Sequence, residues 1–123
     1  MSTIAAPTYA CERIETIPQN GALLVRGSRL IHGDGPYLPD HFPTITIFPG
    51  VFILETVVRS VAKVLGREAL SVVKVRSLRF LVPLYPGDEL RFEAKVSTDP
   101  VLIKATCLRA DDVKVATLSV ECG

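Results

Sequence analysis

His41 and Glu55 stand fourteen positions apart in the segment HFPTITIFPGVFILE and pair an imidazole with a carboxylate set in an apolar run. An imidazole exchanges a proton near neutral pH, and a carboxylate half-surrounded by apolar side chains holds its proton more tightly than one in water. Between them two such groups could take one proton and return another, which is acid/base chemistry. Each also has a bland reading when taken singly. A histidine beside prolines is an ordinary loop residue, and Glu55 with Arg59 at i+4 is an ordinary solvated ion pair. The intervening Pro49-Gly50-Val51 gives the pairing its weight, because it marks a helix start between the two groups.

The elements around them must hold the pair in place. Residues 36–49 carry Pro36, Pro39, Pro43 and Pro49, each of which fixes φ and removes a donor, so His41 lies in a stiff loop unfit for a central strand. From Pro49 to about Leu65 the pattern predicts a largely buried helix, with Gly66 as its C-terminal cap. Its polar arc is narrow, formed by Thr56, Arg59, Ser60 and Lys63, and Glu55 falls at the border of that arc. Residues 21–31 predict a strand running into the turn formers His32-Gly33-Asp34-Gly35-Pro36. His32 matches no motif and reads as structural or exposed. Beyond Gly66, strands are predicted over 71–82, 89–97, 101–109 and 113–121, with turns at Tyr85-Pro86-Gly87-Asp88 and Ala110-Asp111-Asp112. The alternation in 74–80 is that of a strand with one wet face. Strands joined by short turns favour an antiparallel sheet, and one long apolar helix needs a concave sheet around it.

The bulk properties restrict the function classes. At 123 residues, 48% of them hydrophobic and none tryptophan, the chain predicts one folded domain over 1–123 with an aliphatic core. A formal charge of +1 without a long basic run argues against nucleic acid as a partner. No apolar run approaches the roughly 20 residues of a membrane span, and MSTIAAPTYACER lacks the pattern of a secretory signal, so the expected location is the cytoplasm. Cys11, Cys107 and Cys122 are odd in number and widely spaced, which suggests core or surface thiols rather than a disulfide framework or a zinc site.

Taken together, His41-Phe42-Pro43, Pro49-Gly50-Val51 and Glu55 resemble the bacterial 3-hydroxyacyl-acyl carrier protein dehydratases. Arg79-Phe80, Pro83 and Pro86-Gly87-Asp88 extend the resemblance, which runs from about Pro36 to the end of the chain. It implies an α+β hot-dog fold, in which a curved antiparallel sheet wraps one central helix. It also implies His41 as the base at C2 of a 3-hydroxyacyl thioester and Glu55 as the acid that protonates the departing 3-hydroxyl. The backbone amide of Gly50, with that of Val51 as a second donor, would hold charge developing on the thioester carbonyl. In such proteins the two residues of one site come from different subunits. The resemblance therefore implies a homodimer or higher homo-oligomer with shared sites, and an interface tunnel for the acyl chain lined by Phe42, Pro43, Phe48, Phe52, Leu54 and Phe80. Each of these is equally good core. The expected partners are an acyl thioester and an acyl carrier protein, in fatty-acid or polyketide-type biosynthesis, with neither metal nor redox cofactor. Lys74, Arg76, Arg79 and Arg91 could gather on one sheet edge and steer an acidic carrier protein, but an ordinary charged strand face is the favoured reading, and Asp88, Glu89 and Glu93 nearby blunt the case.

Three departures bear on that reading. Thr44 and Thr46 stand where the family usually has glycine and proline, which implies a different loop path if the glycine needs a positive φ. Arg59 replaces the usual amide four residues after the glutamate and is a candidate modulator, because a close guanidinium favours an ionised carboxylate. Two further functions therefore stay open: a hot-dog acyl thioesterase, in which the helix carboxylate assists water, and a non-catalytic partner subunit of a dehydratase.

Overall fold

The computed structural model describes residues 11–19, 21–31 and 50–123. In chain order its elements are β1 (Arg13–Gln19), β2 (Ala22–Leu30), α1 (Gly50–Leu65), β3 (Val72–Phe80), β4 (Glu89–Ser97), β5 (Val101–Arg109) and β6 (Lys114–Cys122). The strands form one antiparallel sheet in the order β1-β2-β4-β5-β6-β3. The chain thus leaves the sheet after β2, passes through α1, lays β3 on the far edge and returns to place β4 beside β2. This is the helix-in-sheet arrangement that the resemblance implies.

Alternation in the central strands builds the core. Leu90, Phe92, Ala94 and Val96 of β4 are buried together with Val101, Ile103, Ala105 and Cys107 of β5, while the residues between them face outward. Against this face α1 buries Ile53, Val57, Val58, Val61 and Ala62, packing across β2 and β4. Gly27 of β2 lies directly under the ring of Phe92, where a Cβ would stand 2.4 Å from Cε2.

The helix differs from expectation in one respect. Thr56 and Ser60 do not form part of a wet arc but are fully buried, because their hydroxyls donate to the carbonyls of Phe52 and Thr56 at 2.7 Å. A hydroxyl that bonds back to the i−4 carbonyl brings its own partner into the core. Ser60 then accepts the Cys11 amide at 2.9 Å and ties the start of the described chain to the helix. At the other end Gly66, at φ +67, closes a Schellman motif: its amide donates to Lys63 and that of Arg67 to Ala62.

Two strand expectations also change. β1 lies before the first strand read from the sequence, and β3 has no dry face. Register shifts at Val72/Lys74 and Val75/Ser77 leave Val73 and Arg76 without direct partners on β6, and every residue from Val73 to Phe80 is exposed. A bulge resets the two-residue alternation, so pattern alone misplaces the faces. Arg91 does not join the basic residues of β3. It stands on β4, separated from them by β5 and β6, and pairs with Asp112 at 2.6 Å.

All three cysteines are buried and free. Burial pushes the Cys11 thiol from an ordinary 9.0 up to about 11, against an opposing hydrogen bond with Ser60. Burial, with a smaller contribution from neighbouring Cys11, pushes Cys107 up to about 12. Unfolded thiols ionise near 9.0 while the folded ones stay protonated, so stability is complete below that pH and falls as pH rises toward 11 and 12. Denaturant midpoints measured from pH 8 to 12 should decline over this window, and less steeply for Cys107→Ala. Gly27→Ala should cost roughly 1–3 kcal/mol, read as a lower midpoint at unchanged slope, because the Phe92 ring has to shift.

Candidate active site

Three backbone features position the residues singled out by sequence. α1 begins at Gly50, where an added Cβ would stand 2.9 Å from Cε2 and Cζ of Phe80, so glycine lets the exposed Phe80 ring lie directly against the helix start. The amides of Gly50 and Val51 have no carbonyl four residues earlier within the helix, which leaves the positive end of the macrodipole at this point. Val51 is 58% exposed and Phe80 48%, while Phe52 and Leu54 are half-buried against the core. The amide end of the helix is thus ringed by apolar surface.

Glu55 lies one further turn along, about 7.5 Å from Gly50 at 1.5 Å per residue. Its Oε1 is 3.1 Å from Nε of Arg59, the i,i+4 pair expected from sequence. The pair stays open to solvent on the Glu55 side, while the Arg59 guanidinium also donates to the carbonyl of Glu68 at 2.8 Å and to that of Leu70. Of the two side chains, Arg59 is 26% exposed and Glu55 43%. Sequence reading found the pair and missed the carbonyls beneath it. The close turn after Gly66 was their only signal.

His41, Phe42, Pro43 and Phe48 lie outside the described residues, as do His32, Thr44, Thr46 and Pro49. Both flanks of their segment are fixed. On one side Ile31 exchanges two backbone bonds with the turn after β3: its amide donates to Asp88 at 2.9 Å, and its carbonyl accepts from Gly87 at 2.8 Å. That turn is held by Asp88 Oδ2, which accepts the Tyr85 amide at 2.8 Å, and by Gly87 at φ +95, a conformation that favours glycine. On the other side the segment ends at Gly50, against Phe80. The sequence marked the Pro86-Gly87-Asp88 turn but gave no sign that it anchors the histidine loop.

The edge strand supplies the last feature. Val75, Leu78 and Phe80 pair with Val120, Leu118 and Ala116, all buried, so they share the inner face of the sheet; yet they are 48%, 38% and 48% exposed. Lys74 and Arg79 occupy the outer row, opposite Glu121 and Thr117, and Arg76 reaches Glu121 at 3.3 Å. A separate cavity of about 450 Å³ lies between Arg13, Arg26, Arg91 and Phe92 and contains none of the candidate residues. We give it no part in the chemistry, since it offers neither an open helix end nor a candidate acid or base.

Comparison with known proteins places this geometry in a family. Over 79 residues the chain is 35% identical to a 3-hydroxyacyl-acyl-carrier-protein dehydratase FabZ of Roseiflexus sp., covering 56% of this chain and 52% of the relative. A FabZ of Xanthomonas oryzae is also 35% identical, over 78 residues, covering 57% of this chain and 51% of the relative. The chain therefore spans about half the length of the curated relatives it matches. Among solved structures, the dehydratase heterocomplex ApeI:P of Xenorhabdus doucetiae superposes with TM-score 0.66 at 18% identity, over 89% of this chain and 97% of that one. The R-hydratase PhaJ1 of Pseudomonas aeruginosa gives 0.61 at 16%, over 80% and 77%. These likenesses identify the hot-dog fold. Residues 22–118 match the ApeI-like family, described as ApeI dehydratase, and the chain belongs to that family.

Proposed function

We propose that this chain is a hydro-lyase that reversibly dehydrates a 3-hydroxyacyl thioester, carried on an acyl carrier protein or coenzyme A, to the trans-2-enoyl thioester. The observation that carries this reading is the position of Glu55, just over one helical turn from the N-terminal end of α1, in a chain of the ApeI-like dehydratase family. His41 takes the proton from C2, and the electron pair moves toward the thioester oxygen. The amides of Gly50 and Val51 hold the charge that gathers there. The C3–O bond then breaks, and the hydroxyl leaves as water with a proton from Glu55. Imidazolium and carboxylate remain, and exchange with solvent restores both. The work falls to side chains and amides alone, without metal or redox cofactor. Phe42, Pro43, Phe48, Phe52, Leu54 and Phe80 line the acyl tunnel, and the reaction belongs to fatty-acid or polyketide-type biosynthesis in the cytoplasm.

A homodimer completes the site. The exposed inner row Val75, Leu78 and Phe80 continues a buried face, and among the described residues no strand lies on the outer side of β3, which together favour pairing with another hot-dog chain. Such pairing would bring a partner subunit to the amide end of α1 and let each site draw on two subunits. One observation favours a second reading. Lys74, Arg76 and Arg79 give β3 three cations and no carboxylate, so self-pairing gathers six cations about a two-fold axis. A related but acidic strand would suit this edge better, as in a heterocomplex of the ApeI:P kind.

Purified protein should hydrate a trans-2-enoyl thioester, followed by loss of enoyl absorbance. His41→Ala and Glu55→Gln should each lower the rate by about 10²–10⁴-fold while the chain stays folded. Absence of turnover on both carrier-bound and coenzyme A thioesters would overturn the lyase reading, and release of free thiol would replace it with hydrolysis. Val75→Glu should convert the assembly to monomers by light scattering and abolish turnover in step; an unchanged mass with unchanged rate would remove β3 from the interface.

A further inference from the structure

We infer that Arg59 is the positioning residue for Glu55, and that the turn after α1 is part of the active-site support; this rests on the proposed dehydratase reading. An exposed i,i+4 pair normally joins two mobile side chains, each free to leave the other. Here the order of constraint runs from backbone to guanidinium to carboxylate. The Glu68 and Leu70 carbonyls each accept from a different terminal nitrogen of Arg59 and so fix the plane of the guanidinium. Nε is then left 3.1 Å from Glu55 Oε1.

The platform under Arg59 is itself held. Gly66 and Arg67 close the helix end on Lys63 and Ala62, and the Leu70 amide donates to Arg67 at 3.0 Å. Leu70 is 1% exposed. Ser71 and Gly123 exchange backbone bonds at 3.2 and 3.0 Å, which ties the turn to the end of β6. Each contact precedes the carboxylate in the chain of support. Glu55 is therefore held, through Oε1, against a cation whose place is set by backbone carbonyls.

The guanidinium fork is required for this. Lysine carries charge but only a single nitrogen, and it cannot bond two carbonyls in one plane while keeping its charge against Glu55. A purely structural Arg59 would staple the turn to the helix and affect stability without acting through Glu55.

The two roles separate in a double-mutant cycle on kcat, using Arg59→Lys, Glu55→Asp and the double variant, with each rate expressed per folded molecule. Positioning predicts that Arg59→Lys lowers kcat by about tenfold to a hundredfold, the scale of an ångström misplacement, with KM nearly unchanged. It further predicts that the double variant is no slower than Glu55→Asp alone, since the carboxylate Arg59 would position is already withdrawn. Losses that multiply, or a kcat unaffected by Arg59→Lys in active protein, would overturn the inference and leave the dehydratase reading standing. A wild-type chain without turnover would overturn both. Should the lysine variant not fold, Arg59→Gln carries the same comparison.

Discussion

The approach of Gly50 to the ring of Phe80 is the contact on which the rest of the site depends. A Cβ at position 50 would stand 2.9 Å from the ring, so glycine lets the half-exposed ring of Phe80 lie against the helix start without shifting. That contact sets the start of α1 beside the end of the edge strand. The opposite flank of the histidine segment is fixed at Ile31 by the turn at Gly87 and Asp88, and Asp88 leads directly into β4. Residues 32–49 are thus flanked on one side by the backbone bonds of Ile31 and on the other by the contact of Gly50 with Phe80.

Much of this was legible where a residue's side chain declares its surroundings. β4 and β5 fall at the positions read from sequence, because Leu90, Phe92, Ala94 and Val96, then Val101, Ile103, Ala105 and Cys107, alternate without interruption. The span of α1 was legible from its apolar density and from Gly66. Features that rest on backbone geometry were not. β1 offers Ile14 and Ile17, three apart, with Pro18 beside them; a proline is tolerated because the strand lies at the edge. The faces of β3 were hidden by two bulges, and the burial of Thr56 and Ser60 by hydroxyl bonds to the preceding turn. Of the candidate site, the pairing of Glu55 with Arg59 could be read from spacing. The carbonyls of Glu68 and Leu70 that fix Arg59 could not, since a backbone acceptor leaves no mark in residue identity.

The edge strand shows the same division in its energetics. A strand with Val75, Leu78 and Phe80 bare on the inner face and an open ladder outside is a poor surface for an isolated chain. Charge on the outer row limits what can cover it. Arg76 pairs with Glu121, which stands opposite Lys74, and Arg79 sits opposite Thr117, so an incoming strand meets excess positive charge above an apolar floor. The floor favours association with any hot-dog edge, while the cations discriminate among them.

Helix α1 divides its duties along its length. The last ten residues bury Thr56, Val57, Val58, Ser60, Val61 and Ala62, receive the Cys11 amide and end in a closed Schellman motif. In the first six, only Ile53 is buried, Val51 is 58% exposed, and Glu55 faces outward beside Arg59. Burial is thus concentrated in the C-terminal part of the helix, while the N-terminal part, at the positive end of the dipole, carries the exposed Glu55. A helix rooted at one end can hold the other rigid without burying it. The proposed acyl-thioester site would need that combination, and Arg59 links the rooted part of the helix to the carboxylate on the open part.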